Sequence, residues 1–187
     1  MSRTDDTNAR CCADAANKFV TWYYQQLNEG KPIAQAYVNK NETLMKVGHP
    51  PAEICINGQM VATPEDLDTL WAQQRSAPLA TTDKTHVHYD VHCFDAVVIN
   101  KDYRFACPQN LIDIHGPNDG VRMMMTVTVS GDVYFGVSKN WKTNDDFATK
   151  QHFNDVFILV PNWEVIGKQN GKFGKKYLVS SHTYRAF

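Results

Sequence analysis

The N-terminal third of the chain opens with a helical pattern of apolar residues. Between Asn8 and Asn28, apolar side chains recur every three or four positions and polar ones fill the opposite side. This periodicity predicts an amphipathic helix, and Gly30 and Pro32 would end it. A shorter helical segment, Pro32–Val38, is predicted next, with proline in its first turn.

Short strand-like segments and a further helix follow. Glu42–Val47 and Ile54–Val61 are rich in strand-forming residues, and the pair Asn57-Gly58 inside the second segment indicates a turn. The run Thr63-Pro64-Glu65-Asp66 has a hydroxyl N-cap, a proline at the first helical position and two acids in the first turn. It predicts the start of a helix that ends before Pro78.

The rest of the chain has the composition of a β-sheet. Four segments rich in β-branched and aromatic residues predict strands: His86–Val98, Arg122–Val129, Gln151–Ile166 and Tyr177–Phe187. Residues 100–120 and 136–150 are predicted to be loop insertions, and 167–176 a polar connection. Helices followed by strands predict an α+β fold, in which helices pack on one face of a bent antiparallel sheet.

One predicted strand is apolar on both faces. Its residues alternate between one side, with Phe153, Phe157 and Leu159, and the other, with Val156, Ile158 and Val160. A strand of this kind is buried on both faces. Because the helices can cover only one face, we expect a partner subunit to cover the second; an exposed apolar face would favour aggregation.

Composition and charge are those of an ordinary globular protein. The 187 residues suit one domain, with residues 1–8 expected to be flexible, and 43% of them are hydrophobic. Nineteen basic and 20 acidic residues leave a net charge of −1, so any contact with RNA must be local. No apolar run approaches the roughly 18–20 residues that span a bilayer, so no membrane partner is expected.

Metal binding is not predicted. The five cysteines form no Cys-x-x-Cys pair, which favours reduced, buried thiols over a zinc site. His86, His88, Asp90 and His92 alternate along one strand and would share one face. Neighbours at this spacing lie about 6–7 Å apart, and no other ligand motif accompanies them. We interpret this face as a polar strand that is solvated or faces an interface.

No catalytic motif is present. The sequence lacks a nucleophile elbow, a P-loop and a dinucleotide-binding fingerprint. Asp90, Asp95 or His182 could act as acid or base if they lined a cone-shaped pocket. Nothing in the sequence requires this, so we predict no catalytic residues and no cofactor.

A basic segment near the C-terminal end of the chain is the candidate RNA-binding site. Lys168, Lys172, Lys175 and Lys176 surround Phe173 with no acid among them. Lysines of this density can contact phosphates, and an aromatic ring can stack on a base. The alternative interpretation is a solvated hairpin turn, marked by Asn170-Gly171.

Three stretches of sequence together resemble the nuclear transport factor 2-like family. They are Ala15–Asn28 with the following Tyr37 and Glu42-Thr43-Leu44, the strand Phe153–Leu159, and the ending Tyr177–Phe187. Within the family, they most resemble the small subunit of the mRNA export receptor heterodimer. The resemblance implies a cone: a bent antiparallel sheet with three helices packed on its concave face.

The resemblance also implies a function without chemistry. Such a subunit pairs through its sheet with the nuclear transport factor 2-like domain of the large export receptor subunit, and the heterodimer contacts nucleoporins and carries mRNA through nuclear pores. The implied location is the nucleus and the pore, with shuttling to the cytoplasm. The partner-binding residues expected are Arg185, which would pair with an acid of the large subunit, and Thr183, Phe157 and His88.

Two alternatives remain open at this stage. One is a homodimeric carrier of the GDP form of Ran within the same family, against which the loop insertions and the basic C-terminal segment argue. The other is a dehydratase or isomerase built on the same cone.

Overall fold

The computed structural model describes residues 3–76, 86–137, 147–166 and 176–187. The helices are α1 (Arg3–Asn28), α2 (Glu42–Lys46), α3 (Pro64–Ser76) and α4 (Gln109–Ile114), with short 3-10 helices at Ala34–Ala36 and Val38–Lys40. The strands are β1 (Glu53–Ile56), β2 (Gln59–Val61), β3 (His86–Asn100), β4 (Met124–Val137), β5 (Thr149–Pro161) and β6 (Tyr177–Ala186).

The strands form one bent sheet of six, in the order β2-β1-β6-β5-β4-β3. All neighbouring strands are antiparallel except β1 and β6, which are parallel with Ile54 opposite His182. Helices α1 and α3 and the 3-10 segments between them contact one face of this sheet. The predicted α+β cone with helices on its concave face is confirmed.

The core lies between α1 and the long strands. The aromatic rings of Phe19 and Tyr23 on α1 lie 5.0 and 4.9 Å from the ring of Phe157 on β5. Phe153 and Leu159 are also buried on this side, whereas Val156 and Ile158 point to the other side and are half-buried. The predicted division of this strand into two apolar faces therefore holds from Phe153 to Leu159, whereas Val160, predicted to lie with Val156 and Ile158, is buried in the core cluster.

The expectation of a strand at Glu42–Val47 is wrong. This segment is the single-turn helix α2, because the Asn41 side chain accepts a hydrogen bond from the Leu44 N–H at 2.8 Å and caps the helix. Leu44 then enters the core as the buried anchor of the turn. By contrast, the turn predicted at Asn57-Gly58 is present and joins β1 to β2.

Strand β4 continues well past its predicted end at Val129. A Cβ added at Gly131 would lie 2.2 Å from the Asp90 carbonyl oxygen and 2.9 Å from the Phe153 ring, so a glycine allows this close approach within the strand. The insertion predicted over 100–120 contains α4, which the irregular pattern did not indicate. Most of the predicted 136–150 insertion lies outside the described residues.

A β-bulge divides β3 into two halves. Val91 pairs with Gly131 but Cys93 pairs with the adjacent Ser130, so His92 is an extra residue on β3. The bulge reverses the alternation: Val87 and Tyr89 point into the core, but Cys93 is exposed on the other side. Strict alternation would put Cys93 on the same side as Val87 and Tyr89, and the bulge places it on the opposite side. None of the described helices is long and apolar enough to span a membrane.

Candidate partner-docking surface

The face of the sheet opposite α1, here called the open face, carries exposed apolar side chains. Val97 and Ile99 on β3 are 56% and 49% exposed, Met60 on β2 is 69% exposed, and Phe187 after β6 is 75% exposed. Half-buried Val156 and Ile158 of β5 lie between these strands. Exposed apolar area on a regular sheet surface is typical of a protein–protein interface.

The pairing register places a continuous row of side chains across the open face. The row runs through Met60, Cys55, Thr183, Val156, Thr128 and Asp95. All six belong to the alternation opposite the buried core residues, and only the last carries a charge. The side chains at the centre of this surface are therefore small and uncharged, so a second sheet can pack on them.

Two predicted partner contacts lie near the centre of this surface. Thr183 is half-buried on β6 beside Cys55 and Val156. Arg185 follows two residues later on the same face, exposed and opposite Asn154. Within the described residues, Arg185 forms no ion pair, so its guanidinium is available to a partner carboxylate.

A charged cluster lies at one end of the open face. Asp132 of β4 is 1% exposed although it belongs to the outward alternation, because Lys150, His92 and His152 enclose its carboxylate. Lys150 Nζ lies 2.7 Å and His92 Nε2 lies 3.1 Å from Asp132 Oδ2. Burial alone would raise the pKa of Asp132, but the Lys150 hydrogen bond and the neighbouring cations outweigh it and lower the pKa.

His88 is at the same end of the open face. It pairs with Tyr134 across the β3–β4 ladder and is half-buried. The structure thus places His88 at the margin of the predicted surface rather than in the row through Thr183.

Phe157 is not available to a partner, and the expectation that it binds one is wrong. Its side chain is fully buried on the helix-covered face, where its ring stacks on His182 at a centroid distance of 4.6 Å. Because side chains alternate along a strand, Val156 and Ile158 occupy the open face in its place. The sequence showed that both faces were apolar but did not show which face α1 would cover.

The residues considered for acid–base chemistry do not share a pocket. His182 is buried against Tyr37 and Asp155, whereas Asp95 is exposed on the open face and Asp90 shares the outward alternation of β3. Tyr24 donates a hydrogen bond to Asp155 at 2.8 Å, and burial followed by the charge of Asp155 raises the pKa of Tyr24 well above its usual value. Tyrosine hydroxyls are thus hydrogen-bonded to both members of this pair, that of Tyr24 to Asp155 and that of Tyr37 to His182.

Only one of the four candidate RNA-binding lysines can be described. Lys176 is exposed at the start of β6, and its carbonyl oxygen accepts a hydrogen bond from the Asn162 N–H at 2.9 Å. It borders a cavity whose other polar lining residues are Asp14, Lys18, His115 and Tyr177. Lys168, Lys172 and Lys175 lie outside the described residues. In the part of the chain that the structure describes, no group of three or more His, Cys, Asp or Glu residues is placed to hold a metal ion.

Solved structures resemble this chain in both sequence and shape. A structure of Mtr2 is 55% identical, with 95% of this chain and 99% of that chain covered and a TM-score of 0.85. The chain belongs to the Mtr2 family. No protein-family model matches it, and neither does any curated protein sequence.

Two solved complexes contain chains that are as similar to this Mtr2-family chain. One is the Chaetomium thermophilum Mex67 NTF2-like domain with Mtr2, at 56% identity and a TM-score of 0.87. The other is Mex67:Mtr2 with a bound Sac3N peptide, at 57% identity and a TM-score of 0.87. Each match covers 95% of this chain and 99% of the matched chain.

Proposed function

We propose that this chain is the small subunit of an mRNA export receptor and that its open face binds the NTF2-like domain of a Mex67-type large subunit. The exposed apolar side chains of the open face, Met60, Val97, Ile99 and Phe187, in a chain 56% identical to one from a Mex67–Mtr2 complex, carry this proposal. A sheet with an uncharged centre suits pairing with a second, similar sheet.

The same arrangement supports a role without catalysis. The buried Asp155–His182 pair is enclosed by tyrosines, and the exposed polar groups of the open face lie on a surface rather than in a cleft. This function would place the protein in the nucleus and at the nuclear pore, with shuttling to the cytoplasm as part of transport. The heterodimer, rather than this chain alone, would make most of the contacts with nucleoporins. An open apolar face would suit either an export-receptor subunit or a homodimeric Ran carrier. The family assignment favours the export-receptor subunit.

Two valines of matched exposure allow a direct test. Val97 lies on the open face and is 56% exposed, and Val47 follows α2 outside that face and is 54% exposed. Val97→Asp should weaken binding to a Mex67 NTF2-like domain at least about a hundredfold, because an unpaired charge buried at an interface costs about 3–5 kcal/mol. Val47→Asp should bind as the unmodified chain does.

Co-expression followed by size-exclusion chromatography with light scattering measures the stoichiometry, and calorimetry measures the affinity. A one-to-one complex that buries more than about 1,600 Å² is expected. A stable monomer without affinity for the domain would contradict the proposal, as would equal effects of the two valine substitutions.

A further inference from the structure

The outer edge of β3 is the feature on which this inference rests. β3 is the last strand of the sheet order, so half of its backbone N–H and C=O groups point away from β4. We propose that the segment Phe94–Val98 of this edge binds an extended peptide of a partner protein, which adds to the sheet as a further strand. This inference goes beyond the proposed function, because it concerns the edge of the sheet and not its open face.

The hydrogen bonds of Tyr89 show which backbone groups face outward. The Asn28 side chain accepts from the Tyr89 N–H at 2.7 Å and donates to the Tyr89 carbonyl at 2.9 Å, so both groups point away from β4. Following the register through the bulge, Phe94, Ala96 and Val98 occupy the equivalent positions, opposite Val129, Val127 and Met125. The Ala96 N–H agrees with this assignment, since it donates to the neighbouring Asp95 carboxylate at 2.8 Å.

The outward backbone groups have different hydrogen-bond partners in the two halves of β3, before and after the bulge. In the first half, side chains of α1 and α3 occupy the outward groups: Asn28 bonds Tyr89, and Arg75 donates to the Val87 carbonyl at 3.2 Å. In the second half, the outward bond that the structure describes is the local one from Ala96 to exposed Asp95. Proteins normally protect such edges, so a half to which the other described elements make no hydrogen bond is suited to strand addition.

A cavity of about 430 Å³ adjoins this second half and limits what can bind there. It lies between the start of α1, with Asn8, Ala9 and Cys12, and the β3 residues Ala96–Ile99 and Lys101. Side chains of an added strand alternate, so one set would enter this cavity. The other set would lie beside Val97 and Ile99 and extend the open face. The expected occupant is an extended peptide with medium-sized apolar residues on one side, small uncharged residues on the other and no charge at its centre.

Hydrogen exchange measured by NMR tests the site at the level of single amides. The probe is a fluorescein-labelled peptide, Lys-Thr-Val-Thr-Val-Thr-Lys, added to the full chain. Binding tighter than ~1 mM is expected, within the range of weak peptide recognition, with exchange slowed at Ala96 and Val98. Exchange at Val97 should not change, because its N–H already points to β4. Protection confined to other elements, or no binding at this concentration, would overturn the proposal.

Three substitutions on adjacent residues separate strand addition from other modes of binding. Ala96→Pro removes the outward N–H without removing a bond to β4, and proline is tolerated on edge strands; it should weaken binding at least tenfold. Ala96→Val keeps the N–H and should bind like the unmodified chain. Asp95→Ala releases the Ala96 N–H and should strengthen binding several-fold. If Ala96→Pro does not fold, the exchange pattern of the unmodified chain and the affinity of Asp95→Ala still test whether the peptide adds as a strand.

Two further results would overturn the proposal. One is an Ala96→Pro chain that is folded by circular dichroism and binds the peptide unchanged. The other is self-association of the unmodified chain that Ala96→Pro abolishes, since the occupant of the edge would then be a second copy rather than a partner peptide.

Discussion

Asp155 of β5 and His182 of β6 are hydrogen-bonded to each other inside the core, with Asp155 Oδ1 2.7 Å from His182 Nε2. Tyr24 of α1 donates to the other carboxylate oxygen, and the Tyr37 hydroxyl lies 2.8 Å from His182 Nδ1. A buried polar network is stable only when its members are satisfied. This one ties α1 and the segment between the 3-10 helices to the two strands that also form the centre of the open face.

Removing one hydroxyl from this network should destabilise the fold. Tyr24→Phe leaves a buried Asp155 oxygen without its donor, so we expect a loss of about 1–3 kcal/mol in the free energy of unfolding, measured by urea denaturation. Tyr177→Phe is the control, since its hydroxyl lies 3.5 Å from a neutral carbonyl, that of Gly120. Equal losses for the two variants would show that the charge of Asp155 adds nothing.

Arg185 should contribute to binding but not to folding. Arg185→Ala is expected to weaken the complex with a Mex67 NTF2-like domain by about 2–5 kcal/mol, mostly by leaving a partner carboxylate unpaired, and Arg185→Asp should weaken it further. Lys31→Ala, at an exposed residue that follows α1 and is ion-paired with Glu29, is a control of the same charge change. Calorimetry measures the affinity of these three variants and of the unmodified chain. Unchanged binding by Arg185→Ala would show that Arg185 does not contribute to the interface.

The cysteines provide a chemical footprint of the open face. Cys93 is exposed there, whereas burial, Asp95 and Cys11 together raise the pKa of the buried Cys12 thiol to about 11. At pH 8, iodoacetamide should therefore modify Cys93 and leave Cys12 unmodified, as read by peptide mass spectrometry. Partner binding should protect Cys93 and not Cys107, which lies in the 100–120 insertion. Full labelling of Cys93 in the complex would place the interface elsewhere.

The Asp132 cluster should make stability depend on pH. The pKa of Asp132 is lowered in the folded chain, so its ionised form stabilises the fold above the unfolded value of about 3.9, and this contribution disappears as pH falls through the lowered pKa. Asp132→Asn should thus reduce stability at pH 7, and this reduction should shrink as pH falls below the unfolded value and disappear below the lowered pKa of Asp132. Asp14→Asn, which breaks an exposed ion pair with Lys18, should have little effect at either pH.

The lysine-rich segment remains a candidate for RNA contact in the heterodimer. If Lys168, Lys172, Lys175 and Lys176 each contact a phosphate, replacing all four by serine should reduce the slope of log affinity against log salt by up to about 3. Binding to all sequences should weaken alike, because phosphate contacts carry no base information. Titration of a single-stranded RNA at several salt concentrations measures this slope, and an identical slope would end the RNA hypothesis for this segment.

The sequence predicted the elements in which a periodic pattern extends over many residues. It did not predict elements whose conformation depends on a single cap or close contact. The period of α1 and the two-sided pattern of β5 are strong enough to be recognised without a structure. The five residues of α2 are too few to show a period, although the Asn41 cap was a usable signal. The predicted end of β4 at Val129 was too early, because Gly131 allows the strand to continue close to Phe153, a contact that the sequence does not show.

The candidate site was predicted less well, for a reason that follows from strand geometry. Thr183 and Arg185 have the right alternation because β6 is regular through that stretch. Phe157 was assigned to the wrong face because alternation says which residues share a face and not which face the helices cover. The bulge at His92 depends on the pairing with Ser130 and Gly131, which are far away in sequence, so the exposure of Cys93 could not be inferred from β3 alone.

The position of β6 in the sheet has a consequence for how the protein is made. β6 lies between β1 and β5, so the hairpin of residues 53–61 reaches the rest of the sheet only through residues 177–186. During translation, the hairpin and the three strands β3, β4 and β5 therefore cannot join into one sheet until β6 has left the ribosome. Until then, the edges of β1 and β5 that β6 will cover stay unpaired. We expect a chaperone to be of most use at this stage of synthesis.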